Sequence, residues 1–139
     1  MKAFTLIEVL LSIALLTILT GIAIPFYSEY GRNNMGINSG LVVDSIRSAQ
    51  LFSISGKEGS DWCVHFEQKK ITVFKKAVFE QRDINHDKEM IVPELYNFSG
   101  INDICFNQNG FPDKIGNVVM TGGSNSLEFS VNSKGVINQ

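Results

Sequence analysis

An apolar segment near the amino terminus constrains the fold of this chain more than any other feature of its sequence. Residues 9–27 carry no charged side chain, and Glu8 is the one charged residue within residues 4–27. Nineteen uncharged residues are enough for a helix to cross a bilayer core of about 30 Å. Nearly all other charges lie from Glu29 onwards, so we expect an apolar helix joined to a polar head.

The composition of the whole chain excludes several classes of protein. A length of 139 residues suits a single domain. A net charge of −2 excludes a strongly basic nucleic-acid binder and a highly acidic tail. Two cysteines are too few for a disulfide-dense scaffold, and too few for a zinc site built from cysteines alone.

The apolar segment has three interpretations. A secretory signal peptide would explain Lys2 before an apolar run, but the run is long, contains Glu8, and has no clean small-x-small cleavage site before Pro25. A plain membrane anchor is the second interpretation. The third must explain Glu8, because a carboxylate in hydrocarbon costs several kcal/mol unless a cation pairs with it.

Residues 3–11, with the sequence Ala-Phe-Thr-Leu-Ile-Glu-Val-Leu-Leu, resemble the processing and methylation motif of type IV pilins and type II secretion pseudopilins. The resemblance implies that prepilin peptidase cleaves between Ala3 and Phe4 and that the new Phe4 amine is methylated. Glu8 then becomes the fifth mature residue, and Pro25 matches the helix-kinking proline of the family. Ala3 departs from the pattern, which usually has glycine.

The resemblance also implies how subunits assemble through Phe4, Thr5, Glu8 and Pro25. Cleavage places a positive amine on Phe4 at the depth of Glu8, so Glu8 of one subunit can pair with the Phe4 amine of its neighbour. A buried charge left unpaired costs several kcal/mol, which penalises misplaced subunits. The alternative is that Glu8 only orients the segment during insertion.

The predicted fold class is α+β and type IV pilin-like: a long N-terminal transmembrane α-helix packed on a C-terminal antiparallel β-sheet head. A helix over residues 4–52 would be roughly 70 Å long, kinked at Pro25 and weakened by nearby glycines, with a loop at 31–34 as the alternative. Strand and turn patterns after residue 60 predict one sheet of five to seven short strands. The predicted boundaries are a leader at 1–3, a transmembrane or filament-core helix at 4–27, an amphipathic continuation at 28–55 and a β-rich head at 56–139.

The head resembles the GspH/FimT type of minor pilins and pseudopilins. The matching motifs are residues 62–64, 73–74, 79–83, 92–93, 106–110 and 131–137. This resemblance implies a minor subunit, and a major pilin is the alternative.

Cys63 and Cys105 lie in predicted strands of a head that would face an oxidising space after export. A disulfide between them would close a loop of about forty residues and contribute about 2–4 kcal/mol. The alternative is two buried free thiols.

Asp83, Asn85, Asp87 and Glu94 fit the spacing of a twelve-residue calcium loop. Lys88 occupies the position where such a loop needs glycine, so a solvated polar loop is favoured and no metal or other cofactor is expected. Neither histidine of the head has a matching acid and nucleophile in the sequence, so the chain is not expected to be an enzyme.

A basic cluster of four lysines could contact DNA phosphates, as in FimT-like pilins. Because side chains alternate along a strand, each pair of adjacent lysines is divided between the two faces of the sheet. This favours the alternative that the lysines lie at solvated strand ends, where they oppose pairing with the edge of another sheet. The four residues are Lys69, Lys70, Lys75 and Lys76.

The function expected from the resemblance is that of a structural subunit of a type IV pilus-like or pseudopilus filament, or fimbrium. Its expected partners are homologous pilin subunits, prepilin peptidase, the inner-membrane assembly platform and, before assembly, the lipid bilayer. The expected location is the inner membrane, with one pass, and then an extracellular filament or a periplasmic pseudopilus. The competing function is a tip subunit that captures DNA or a secretion substrate.

Overall fold

The computed structural model describes residues 5–75 and 78–139, with side chains for all of these except residues 22–34. Helix α1 has the bounds Leu6–Ile54. Its side chains are described in two stretches, one of 16 residues that begins at Leu6 and one of 20 residues that ends at Ile54. The chain divides into two compact units, one that ends at Met35 and one from Gly36 to Gln139, and each is described by itself.

Local hydrogen bonds explain where α1 begins and ends. At its start, the backbone N–H and the hydroxyl of Thr5 both donate to Glu8 Oε2, at 3.0 Å and 2.9 Å. At its end, Gly56 adopts a left-handed conformation with φ of 63° and donates its N–H to the carbonyl of Ser53. Glycine adopts this conformation without the cost of a Cβ clash, so the helix stops there.

The head contains eight strands in two four-stranded antiparallel sheets. The first sheet has the order β3-β2-β1-β5 and the second has the order β4-β6-β7-β8. Single 3-10 turns at Phe79–Gln81 and Ile84–His86 lie in the connection between β2 and β3. The strands are β1 Trp62–Glu67, β2 Lys70–Lys75, β3 Lys88–Ile91, β4 Tyr96–Gly100, β5 Asp103–Phe106, β6 Gly116–Gly122, β7 Asn125–Val131 and β8 Ile137–Asn138.

The core of the head includes one face of α1 and side chains from both sheets. On the helix, Val42, Ile46 and Ala49 are fully buried at the spacing of a single helical face. Ser53, also fully buried, accepts from the N–H of Trp62 at 2.7 Å and donates to the carbonyl of Phe106 at 2.9 Å. The end of the helix is thereby tied to β1 and β5 by polar as well as apolar contacts.

Two turns with the same hydrogen-bond pattern meet at Gln50 of α1. In each turn an asparagine side chain accepts from two backbone N–H groups, and a glycine three residues later donates to the asparagine carbonyl. Gln50 Nε2 donates to the carbonyl of the glycine in both turns, at 2.9 Å to Gly110 and 3.3 Å to Gly135. One side chain therefore joins the helix to a turn after β5 and a turn after β7.

Replacing Gly135 by alanine should destabilise the head by roughly 2–4 kcal/mol. Gly135 has φ of +74°, and an added Cβ would lie 2.5 Å from the carbonyl oxygen of Gly110 and against Gln50 Nε2. Gly123→Ala is the matched control, because Gly123 has φ of +60° and nothing within 4 Å of the added Cβ. We expect the control to cost about 1–2 kcal/mol from the backbone alone. Equal losses in urea unfolding of the two variants would contradict the role of the Gln50 contact.

The predicted fold class was wrong. Among the described residues, no helix is both long and apolar enough to be a candidate membrane span. The unit that holds the sheets contains only the last part of α1, and it has two four-stranded sheets where one sheet was expected.

Two of the eight strands, β3 and β4, were not indicated by the sequence patterns. β3 carries Lys88 and Glu89 and is largely exposed, because it is an edge strand of the first sheet. β4 is an edge strand of the second sheet and ends at Gly100, whose φ is +95°. An edge strand buries few side chains, so its sequence resembles that of a loop.

Candidate functional site

The amino-terminal stretch of α1 presents apolar side chains to solvent on every side. Its large apolar residues between positions 6 and 19 are 49–79% exposed. Because these residues include neighbours in sequence, which point in different directions around a helix, they cover its whole circumference. The residues are Leu6, Ile7, Val9, Leu10, Leu11, Ile13, Leu15, Leu16, Ile18 and Leu19.

Glu8 lies within this apolar stretch and makes local hydrogen bonds. Its Oε2 accepts from both donors of Thr5, so Glu8 reaches back to the residue before the helix as in half of a capping box. Threonine three residues before glutamate is the sequence signal for this contact. A shallow depression of about 280 Å³ beside Glu8 is lined by Ile7, Leu11 and Ser12.

Three residues with predicted roles in processing and assembly lie outside the described side chains. Ala3 and Phe4, the residues of the predicted cleavage site, precede the described part of the chain, and the side chain of Pro25 is not described. The predicted pairing of Glu8 with a neighbour's Phe4 amine therefore stays a prediction. The structure places the other two members of the predicted assembly set, Thr5 and Glu8, in direct contact.

Cys63 and Cys105 form a disulfide that joins β1 to β5. They are partners in the antiparallel register of these strands, and they are separated by 42 positions in the sequence. The N–H of Cys105 donates to Asp113 Oδ1 at 2.9 Å.

Beside the disulfide, a histidine and an aspartate face each other across the same two strands. His65 Nδ1 lies 2.5 Å from Asp103 Oδ1, and the ring of Phe79 stacks on the imidazole with centroids 3.7 Å apart. The guanidinium of Arg82 lies 3.7 Å from the centroid of the Phe79 ring. The sequence did not reveal the acid that accompanies His65, because the two residues are 38 positions apart and meet only through the strand register.

A groove of about 490 Å³ opens next to this pair, with Glu80, Asp113 and Lys114 among its lining residues. Its only sulfur belongs to Cys105, which is held in the disulfide, and no serine or threonine lines it among the described residues. Phe79 belongs to the connection between β2 and β3, so its stacking on His65 packs this connection against β1.

The four residues with calcium-loop spacing do not converge on one point. Asp83 accepts from the backbone N–H and the side-chain amide of Asn85, at 3.1 Å and 2.9 Å, and these bonds lower the pKa of the Asp83 carboxyl. Asp87 pairs with Arg82 at 2.6 Å, and Glu94 pairs with Lys69 at 2.7 Å. In the part of the chain that the structure describes, no group of three acidic, histidine or cysteine residues could hold a metal ion.

His86 links the same loop to the segment after the helix. Its Nε2 lies 2.8 Å from Glu58 Oε2, and its Nδ1 lies 3.0 Å from Asp83 Oδ2. Glu58 also lies 3.8 Å from Lys75 Nζ. The polar loop is thus held by the contacts of His86 with two carboxylates and by the ion pair of Arg82 with Asp87.

The three described lysines of the basic cluster all have carboxylate partners. Lys69 pairs with Glu94, Lys75 with Glu58, and Lys70 with Glu89 at 2.9 Å. The hydrogen bond to Glu89 raises the pKa of Lys70. Lys76 lies outside the described residues. A DNA phosphate that approached these lysines would be repelled by the paired carboxylates, so the structure does not favour a DNA-binding surface here.

Comparisons of the chain with protein-family models, with curated proteins and with solved structures find no match.

Proposed function

We propose that this chain is a structural subunit of a filament of the type IV pilus or pseudopilus class, joined to its neighbours through the amino-terminal stretch of α1. The observation that carries the proposal is the exposure of apolar side chains around the whole circumference of residues 6–19. Burying a large aliphatic side chain contributes about 1.5–3 kcal/mol relative to leaving it in water, so this stretch gains strongly from an apolar cover.

The distribution of these side chains favours a bundle over a single partner. A helix that docks on one protein surface needs one apolar face, with polar residues on the other side. Here Leu10, Leu11, Ile13 and Leu16 point in different directions and are all more than half exposed. Such a helix is covered completely only when several neighbours surround it, as in a filament core made of many copies.

Glu8 gives the bundle a preferred register. A carboxylate enclosed among apolar side chains needs a cation, and the resemblance of residues 3–11 to the pilin motif supplies one in the Phe4 amine of a neighbouring subunit. We propose that prepilin peptidase exposes this amine and that the assembly platform of the inner membrane adds the subunit to the filament. The role of the chain is structural and not enzymatic.

The disulfide of the head supports the same proposal. Cys63 and Cys105 leave no free cysteine among the described residues, which suits a protein that matures in an oxidising space. We therefore propose that the head is exported, and that the mature subunit resides in an extracellular filament or a periplasmic pseudopilus.

The proposal is tested by isolating filaments from the source cells and from cells in which the gene has been deleted. Electron microscopy should show filaments that depend on the gene, and mass spectrometry should detect this chain in them. Its amino-terminal peptide should begin at Phe4 and carry one methyl group. The molar ratio of this chain to other filament proteins distinguishes a major from a minor subunit. Unchanged filaments without this chain, or a chain that retains Met1, would contradict the proposal.

A further inference from the structure

The part of α1 that belongs to the head has two different faces. One face is buried in the head and includes Val42, Ile46 and Ala49. The opposite face is open to solvent, and its apolar members Ile37, Leu51 and Ile54 are 73%, 62% and 53% exposed. Positions 37, 44, 47, 51 and 54 follow helical spacing and form one stripe, which we call the outer stripe.

The centre of the outer stripe carries one negative and one positive side chain. Asp44 and Arg47 are both exposed and are neighbours on the helix surface, three residues apart. Among the described residues, neither has an ion-pair partner within 4.0 Å. The charges of the outer stripe are therefore available to a partner.

We infer that the outer stripe is a contact surface for a second copy of this chain, with Asp44 of one copy paired to Arg47 of the next. A partner surface of a single charge would attract one of these residues and repel the other. A second copy offers both charges at the same spacing. When parallel helices are offset by about 4.5 Å, the rise of three residues, the Asp44 of one copy lies level with the Arg47 of its neighbour.

The apolar members of the outer stripe fit the same occupant. Along the helix, Ile37 precedes the two charged residues, and Leu51 and Ile54 follow them. A neighbouring helix that pairs with Asp44 or Arg47 therefore also covers exposed aliphatic surface. Asp44 and Arg47 are separated by about 60° around the helix, so the copy beside Asp44 and the copy beside Arg47 are different neighbours. A contact of this kind repeats without closing, and it generates a helical filament. The inference deepens the proposed function and rests on it, because the filament supplies the second copy.

The test is an exchange of charges in the full-length chain. Asp44→Arg and Arg47→Asp should each lower filament yield at least about tenfold, since each places like charges opposite one another at every contact. The double variant Asp44→Arg/Arg47→Asp restores opposite charges and should recover most of the yield. Formation of the Cys63–Cys105 disulfide serves as the control for folding in all three variants. Normal yield from either single variant, or no recovery in the folded double variant, overturns the inference.

A cross-linking measurement separates the inference from the proposed function. An Arg47→Lys variant, produced as a mixture of ¹⁴N- and ¹⁵N-labelled chains, is coupled with a zero-length carbodiimide reagent. A peptide that joins Asp44 of one isotope to the introduced lysine of the other shows the contact between copies. If the cross-link forms but no filaments are found, the filament function is refuted and the contact between copies is retained. If filaments form without the cross-link, only the contact is refuted. Absence of both would refute both.

Discussion

Replacing Glu8 by alanine should abolish filaments while the head remains folded. In the proposed filament core, the Glu8 carboxylate balances the Phe4 amine of a neighbour, and the variant leaves that amine buried without a partner. Breaking a buried ion pair costs about 3–5 kcal/mol, and a cost of that size lowers an assembly constant by at least about a hundredfold. The measurement is filament yield in sheared fractions, with disulfide formation in the head as the control for folding.

A Glu8→Gln variant separates the two roles that the structure and the sequence assign to this residue. Glutamine can accept the hydrogen bond from the N–H of Thr5, so it retains the local contact at the start of α1. It carries no charge and cannot balance an ammonium group. We expect Glu8→Gln to fail in assembly as Glu8→Ala does. Normal filaments from Glu8→Gln would show that Glu8 acts as a helix cap. They would contradict the hypothesis that Glu8 pairs with the Phe4 amine of a neighbouring subunit.

Strands that bury side chains could be predicted from the sequence. The segment 71–74, an apolar run bracketed by lysines, lies within β2, and the alternating segment 127–131 lies within β7. Both contain fully buried residues, such as Ile71 and Phe129, and these residues produce the apolar pattern. β3 lacks that pattern because it is an exposed edge strand. The division into two sheets could not be predicted, because it depends on which strands pair over long distances in sequence.

The candidate site shows the same limit. The exposed apolar stretch and Glu8 could be recognised from sequence alone, since both depend on local composition. The pair of His65 and Asp103 could not, because only the register of β1 against β5 brings them together. The spacing of Asp83, Asn85, Asp87 and Glu94 suggested a shared ligand, but the structure gives Asp87 and Glu94 separate cationic partners. Spacing does not show how a loop folds.

The disulfide should make a large contribution to the stability of the head. We expect the double variant Cys63→Ala/Cys105→Ala to lower the free energy of unfolding by about 2–4 kcal/mol, because the unfolded chain regains the freedom of a loop between residues separated by 42 positions. β5 should be affected most, since it is an edge strand held to β1 by four paired residues.

The tryptophan at position 62 reports this unfolding directly. It is the single tryptophan of the chain, it is fully buried, and it pairs with Phe106 across β1 and β5. Urea unfolding followed by its fluorescence should show the same loss of stability in the double variant and in the reduced wild-type chain. The double variant should then be insensitive to reductant, since no sulfur pair remains. If the wild-type midpoint is the same with and without reductant, the bond between β1 and β5 does not stabilise the head.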